Sequence, residues 1–182
     1  MAVLTKSLID ELYEVEGKAE IVNGRIVLMP PTGEDPSYAA GEVFAHLRDY
    51  ARQTGSGRAI QDNAGFNVSL PHRSSFSPDA AFVRSARGGM KFFHGAPDFA
   101  VEVRSENDYG PRAERKMAAK RDDYFATGTL VVWDVDLLSN DVVIRSYSAD
   151  DPNNPRLFRR GEIADAEPAV PGWRMPVDDL FA

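Results

Sequence analysis

The hydrophobic positions change period several times along the chain, and each change marks an element. Leu8, Ile9 and Leu12 share a face at helical spacing, with Thr5 as the expected cap and Gly17 as the expected stop. From Ala19 to Met29 the period becomes that of strands, and Asn23-Gly24 suits the positive backbone angles of a tight hairpin turn before Pro30-Pro31 ends the sheet. After the polar stretch 32–35, Val43, Phe44, Leu47, Tyr50 and Ala51 recur at intervals of three and four. This predicts an amphipathic helix closed by Gly55-Ser56-Gly57. Residues 64–70, 80–83 and 99–104 alternate or run apolar between Gly, Pro and Ser, as strands do. Pro111 opens a second helix at the position where a missing backbone donor does least harm, and Gly128 closes it. Residues 129–135, dense in valine and tryptophan, predict a strand buried on both faces; 142–147 predicts another, and the tail 150–182 reads as turn-rich. This order predicts an α/β fold with a mixed central β-sheet flanked by helices, formed as a single domain over 1–182.

Composition narrows the chemistry. At 182 residues and 43% hydrophobic content, the chain is long enough for one well-packed core and short for two. It has no cysteine, which excludes disulfides, thiolate metal sites and a cysteine nucleophile, so a metal must sit on oxygen or histidine. His46, His72 and His94 stand apart with no metal-ligand spacing, and Ser77 and Ser105 lack the elbow and histidine partner of a serine hydrolase. No segment has the apolar run of a signal peptide core or a membrane span, so a cytoplasmic protein without membrane contact is expected. A net charge of −7 argues against a surface that binds nucleic acid everywhere, yet Arg112–Arg121 holds five basic residues and one acid. That stretch is either a local phosphate-facing surface or a solvated helix face.

Two carboxylates sit where a carboxylate is costly. Phe99, Val101 and Val103 point to one side of their strand while Glu102 and Arg104 point to the other, which leaves an acid in the middle of an apolar strand. Asp79 follows Pro78 at the start of another. In the helix after Pro111, Ala113, Met117, Lys120 and Tyr124 share one face, so Lys120 lies within the inward stripe and should pair with Glu102 or Asp79. Two acids and an inward lysine can hydrolyse a phosphodiester with a magnesium-type cation. The same pattern also reads as a structural ion pair, and Asp79 as a turn former.

Six segments in order carry a resemblance. They are 19–31 (AEIVNGRIVLMPP), 77–83 (SPDAAFV), 98–105 (DFAVEVRS), 120–124 (KRDDY), 131–136 (VVWDVD) and 170–173 (VPGW). Together they resemble the Uma2 family of the PD-(D/E)xK nuclease superfamily over nearly the whole chain. The resemblance implies a restriction-endonuclease-like core and an endonuclease that hydrolyses DNA with Mg2+, or with Mn2+ in its place. It assigns catalytic roles to Asp79, Glu102 and Lys120, and metal binding to Asp79 and Glu102, with Glu20 extending the site. DNA is the implied partner, with Arg104, Arg112, Arg115, Lys116 and Arg121 as the expected phosphate contacts. Arg104 stands where the superfamily usually has its lysine and cannot accept a proton, which moves that role to Lys120, with Lys116 in reserve. The histidine that often follows the Pro-Pro turn is replaced by Pro36-Ser37-Tyr38, and Glu106-Asn107-Asp108 follows Ser105. Two rival functions share these residues: a nuclease-fold protein that no longer cuts and serves as a DNA-binding or assembly module, and a hydrolase of smaller phosphate esters. The strand edge beyond 142–147 offers a homodimer surface.

Overall fold

Val131–Val135, buried at every position, runs through a six-stranded sheet in a computed structural model that describes residues 6–85 and 88–181. In chain order the elements are α1 (Leu8–Leu12), β1 (Ala19–Val22), β2 (Arg25–Leu28), α2 (Glu34–Thr54), β3 (Arg58–Gln61), β4 (Phe66–Leu70), β5 (Arg73–Phe76) and β6 (Ala80–Val83). They continue with β7 (Phe93–His94), β8 (Phe99–Val103), α3 (Pro111–Ala126), β9 (Val131–Val135), β10 (Val142–Ser148) and β11 (Asp151–Arg159). The chain closes with β12 (Ile163–Ala166), β13 (Val170–Pro176) and a 3-10 turn at Val177–Leu180.

The larger sheet has the order β11-β10-β9-β8-β6-β3. Strands β8 and β9 are parallel and the other neighbours antiparallel, so it is the expected mixed sheet. The parallel pair forms because α3 carries the chain back across the sheet between them. Alternation along the strands then builds two cores. Phe82, Phe99, Val101, Val103 and Trp133 face Val43 and Leu47 of α2 together with Trp173 and Met175 of β13. On the opposite face, Ala81, Ala100 and Val132 meet Tyr124 of α3 and the phenylalanines Phe66 and Phe76 of a second sheet. That sheet has the order β2-β1-β5-β4-β7.

Several boundaries depart from the sequence reading. Ser7 caps α1 in a reciprocal capping box with Asp10, while Thr5 lies outside the described residues. The hairpin turn is as expected, with positive φ at Asn23 and Gly24, and Gly55 in the left-handed region ends α2. Strands β3 and β5 were not legible: Arg73-Ser74-Ser75-Phe76 has no apolar alternation, and the Ser75 hydroxyl accepts the Ile21 N–H at 2.7 Å, tying the strand to β1 through a side chain.

The tail is strand-rich rather than turn-rich. Pro152 and Pro155 lie within β11, which is tolerated because β11 is the outermost strand, where a missing backbone donor can face solvent. Because β11 covers β10, the edge expected as a homodimer surface is already paired within the chain. Among the described residues no helix is long and apolar enough to cross a membrane.

Candidate active site

The pairing of β6 with β8 positions the two acids. Ala80 stands opposite Val101 and Ala81 opposite Ala100. Asp79 directly precedes this paired stretch, and its N–H donates to the Val101 carbonyl at 3.0 Å, which brings it alongside the β8 segment that carries Glu102. The Asp79 charge acts against that of Glu102, and carboxylates this close need cations beside them. Asp79 accepts the Val103 N–H on Oδ2 at 2.7 Å and Lys18 Nζ on Oδ1 at 2.5 Å. Lys18 also reaches Asp62 at 2.6 Å.

Glu102 is served from α3. Lys120 and Tyr124, one turn apart on the inward face, donate to its carboxylate at 2.8 and 2.7 Å. The Tyr124 ring is held by stacking on Phe76 at 4.0 Å between centroids. Lys120 lies equally close to Glu20, at 2.9 Å, so one ammonium bridges two acids. Glu20 also accepts the Ser77 N–H at 2.9 Å and Arg73 Nη1 at 2.7 Å. The other edge of Arg73 donates through Nε to Asp123 at 2.7 Å, and His72 Nε2 lies 2.6 Å from the same carboxylate. A continuous polar chain therefore runs from a half-exposed histidine through Asp123, Arg73, Glu20 and Lys120 to Glu102.

The two glutamates are shifted in opposite directions. Burial works against the Glu20 charge, but Lys120, Arg73 and the Ser77 N–H outweigh it and hold its carboxyl below the usual range. Burial pushes Glu102 up, and the charges of Asp79 and Glu20 raise it further, so that Lys120 and Lys18 do not restore it. Burial also opposes the Lys120 charge, yet Glu102 and Glu20 keep the ammonium above the ordinary lysine range. Lys120 is thus a fixed positive charge and not a proton acceptor. Burial and the nearby Glu102 carboxylate raise Tyr124 well above the usual phenol, which keeps it a donor.

The donor set fits a hard cation. Asp79 and Glu102 supply only oxygen, and magnesium commonly takes one or two carboxylates and completes its shell with water and phosphate. Among the described residues no group of three or more Asp, Glu, His or Cys forms a metal cluster, so the fit is to a two-carboxylate site. Glu20 is the most enclosed of the three acids, its side chain 7% exposed against 14% for Asp79 and 25% for Glu102, which suits an orienting group.

The structure therefore brings Asp79, Glu102, Lys120 and Glu20 together. Of the expected phosphate contacts, Arg112, Arg115 and Lys116 are exposed on α3, and Arg121 lies over the Tyr147 ring at 3.6 Å. Arg104 is different: it is buried, with Nε and Nη2 donating to Asp134 at 2.7 Å and Nη1 to Glu114 at 2.5 Å. Its guanidinium has no free edge for phosphate in this arrangement, because it ties β8 to β9 and α3. Lys18, Arg73, Asp123 and His72 were missed by the sequence reading. Nothing in their local spacing links them to the acids, since the link is made by the packing of the second sheet.

Over residues 9–178 the chain matches the Uma2 family, described as "Putative restriction endonuclease". No curated protein matches it. Among solved structures, it is similar to the crystal structure of "a putative nuclease belonging to DUF820" from Anabaena variabilis ATCC 29413. The TM-score is 0.73 at 17% identity, covering 95% of this chain and 96% of that chain. At that identity the likeness speaks for the fold, and it agrees with a restriction-endonuclease-like core around the mixed sheet. The family match spans nearly the whole sequence and reaches across every residue of the acid and lysine network, and on that ground the chain belongs to the Uma2 family.

Proposed function

We propose that the protein is a metal-dependent endonuclease that hydrolyses DNA phosphodiester bonds at Asp79 and Glu102. The observation that carries this reading is the closeness of these two carboxylates, Asp79 accepting the N–H of Val103 next to Glu102, beside a lysine charge bonded to Glu102. Two acids brought this close are unfavourable for the fold alone and favourable for holding a cation. Mg2+, or Mn2+ in its place, would be held by Asp79 and Glu102; when bound it polarises a phosphoryl oxygen and lowers the pKa of a bound water.

The chain's own residues do the rest. Lys120 supplies permanent charge to offset what builds up on the phosphoryl oxygens, and its high proton affinity rules it out as the base. Tyr124 and Lys120 fix the direction of the Glu102 carboxylate, and Glu20, itself held by Arg73 and the Ser77 N–H, fixes Lys120. Arg112, Arg115, Lys116 and Arg121 face the DNA backbone from α3, a local basic surface on an acidic protein. Arg104 acts as a strut in this reading, not as a phosphate contact.

The test is cleavage of supercoiled plasmid and of single-stranded DNA with Mg2+ or Mn2+ against a chelator control. Metal-dependent nicking is expected. Competition by mononucleotides as strong as that by DNA would instead indicate a smaller phosphate ester as substrate. A second reading is favoured by one observation: both oxygens of Asp79 and both of Glu102 already accept hydrogen bonds from the chain. Such saturation suits a nuclease-fold module that binds DNA or assembles without cutting. On that reading Asp79→Ala lowers stability, and there is no metal-dependent turnover for it to remove.

A further inference from the structure

We propose that the outer edge of β2 is where two copies of this chain pair, strand to strand and antiparallel, with Val27 on the two-fold axis. Assembly of this kind needs neither metal nor DNA and goes beyond the nuclease reading.

An outermost strand presents backbone groups that another chain can pair with, and proteins blunt such edges with proline, charge or short length. In the two larger sheets β7, β11 and β3 are blunted. β7 has two residues, β11 carries Pro152, Pro155, Arg156 and Arg159, and β3 begins with Arg58 and ends with Gln61. β2 differs: Ile26, Val27 and Leu28 form an apolar run, with Val27 41% and Leu28 64% exposed, and among the described residues β2 pairs only with β1.

Hydrogen-bond direction sets what that edge offers. The Met29 N–H donates inward, to the Lys18 carbonyl at 2.9 Å. Backbone groups alternate in direction along a strand, so Val27 also faces β1, whereas Ile26 and Leu28 turn their N–H and C=O outward. Pro30, the next outward position, has no N–H to leave unpaired. Pairing a second copy about Val27 sets Ile26 opposite the partner's Leu28 and Leu28 opposite the partner's Ile26, each pair exchanging both backbone bonds. The two Val27 side chains then meet at the close, non-hydrogen-bonded position, and the exposed apolar run is covered.

Charge favours a second copy over an unrelated strand. In this register Arg25 stands opposite the partner's Met29, and the chain beyond leads to the partner's Glu34 and the partner's Asp35 at the start of α2. All three charges are exposed, and none forms an ion pair among the described residues. Glu20 is opposite Val27 within each copy, so the pairing joins the two second sheets and sets both acid and lysine clusters on one side of the joined sheet.

The chain has no cysteine, so a single introduced one reports the register. Facing Cα atoms at a non-hydrogen-bonded pair lie about 4.5 Å apart, within disulfide range. Val27→Cys is expected to give a disulfide-linked dimer on mild oxidation, whereas Arg25→Cys, which faces the partner's Met29, should stay uncrosslinked. Sedimentation of the full chain, without metal or DNA, should show a wild-type dimer. Val27→Lys and Val27→Glu, with circular dichroism unchanged, should each raise the dimer Kd on the order of tenfold or more, because like charges then face each other. An equimolar mixture of these two should recover the dimer, a rescue that damage to the fold cannot give. A wild type that is monomeric throughout the micromolar range overturns the inference, as does a dimer that neither charge weakens. Equal cross-linking at 25 and 27, or no recovery in the mixture, overturns the two-fold at Val27.

Discussion

Replacing Glu102 with Gln is expected to lower DNA cleavage by about 10³-fold or more while leaving the fold as stable at pH 7 as the wild type, or more so. One preorganised electrostatic contact accounts for about 10²- to 10³-fold, and this substitution also removes one of the two proposed cation ligands. The stability side follows from the sign of the pKa shift. The folded protein holds Glu102 above its unfolded value of 4.5, so the folded state favours the protonated form. Ionising Glu102 therefore destabilises the fold, by an amount absent below the unfolded value and growing as the pH rises through the folded one. Glutamine cannot ionise and escapes that penalty. The checks are initial rates of plasmid nicking and urea unfolding of both proteins at pH 4 and pH 7. An equal stability gap at both pH values would contradict the electrostatic account of Glu102.

Replacing Arg73 with Met is expected to remove about 3 to 5 kcal/mol of stability, the cost of leaving buried charges without their partner. Arg73 is 7% exposed and holds two acids at once, Glu20 through Nη1 and Asp123 through Nε. Glu20 and Asp123 are themselves 5% and 7% exposed, so water does not replace the lost guanidinium. Lysine has no fork to span both acids, and Arg73→Lys should recover only part of the loss. Urea denaturation measures this directly, and a loss below about 1 kcal/mol would place Arg73 among weak, solvent-screened pairs. Cleavage should fall as well, because Glu20 orients Lys120 and depends on Arg73 for its own position.

These two residues differ in how far they can be found from sequence. Glu102 is visible because strand alternation puts it opposite a row of buried side chains, and Lys120 because helical spacing puts it in an apolar stripe. Both signals are local, and both elements lie where the hydrophobic period is strong. Arg73 is invisible to the same reasoning. It sits in Arg73-Ser74-Ser75-Phe76, which lacks strand alternation, and its partners lie 53 and 50 residues away. Lys18 belongs with Arg73: its acid partner at the site is 61 residues distant and becomes its neighbour only when the second sheet packs beneath α3. The tail was misread for a related reason, since prolines that would break a central strand are tolerated in the outermost one. Local pattern gives β6, β8, β9 and β10 of the larger sheet and the two candidate acids, whereas its outer strands β3 and β11 and the supporting polar chain depend on tertiary packing.

The arrangement also separates support from function within one cluster. Glu20 and Arg73 strengthen the fold through their charges, whereas the Glu102 charge weakens it. An acid that the fold keeps against its own stability is the one expected to meet a ligand.

The most direct measurement is calorimetric titration of Mn2+ into the wild type and into Asp79→Asn, each shown to be folded. One saturable site per chain in the wild type, lost or strongly weakened in the variant, is the expected result. Equal binding by both proteins, or no binding by the wild type even with DNA present, would contradict a cation held between Asp79 and Glu102.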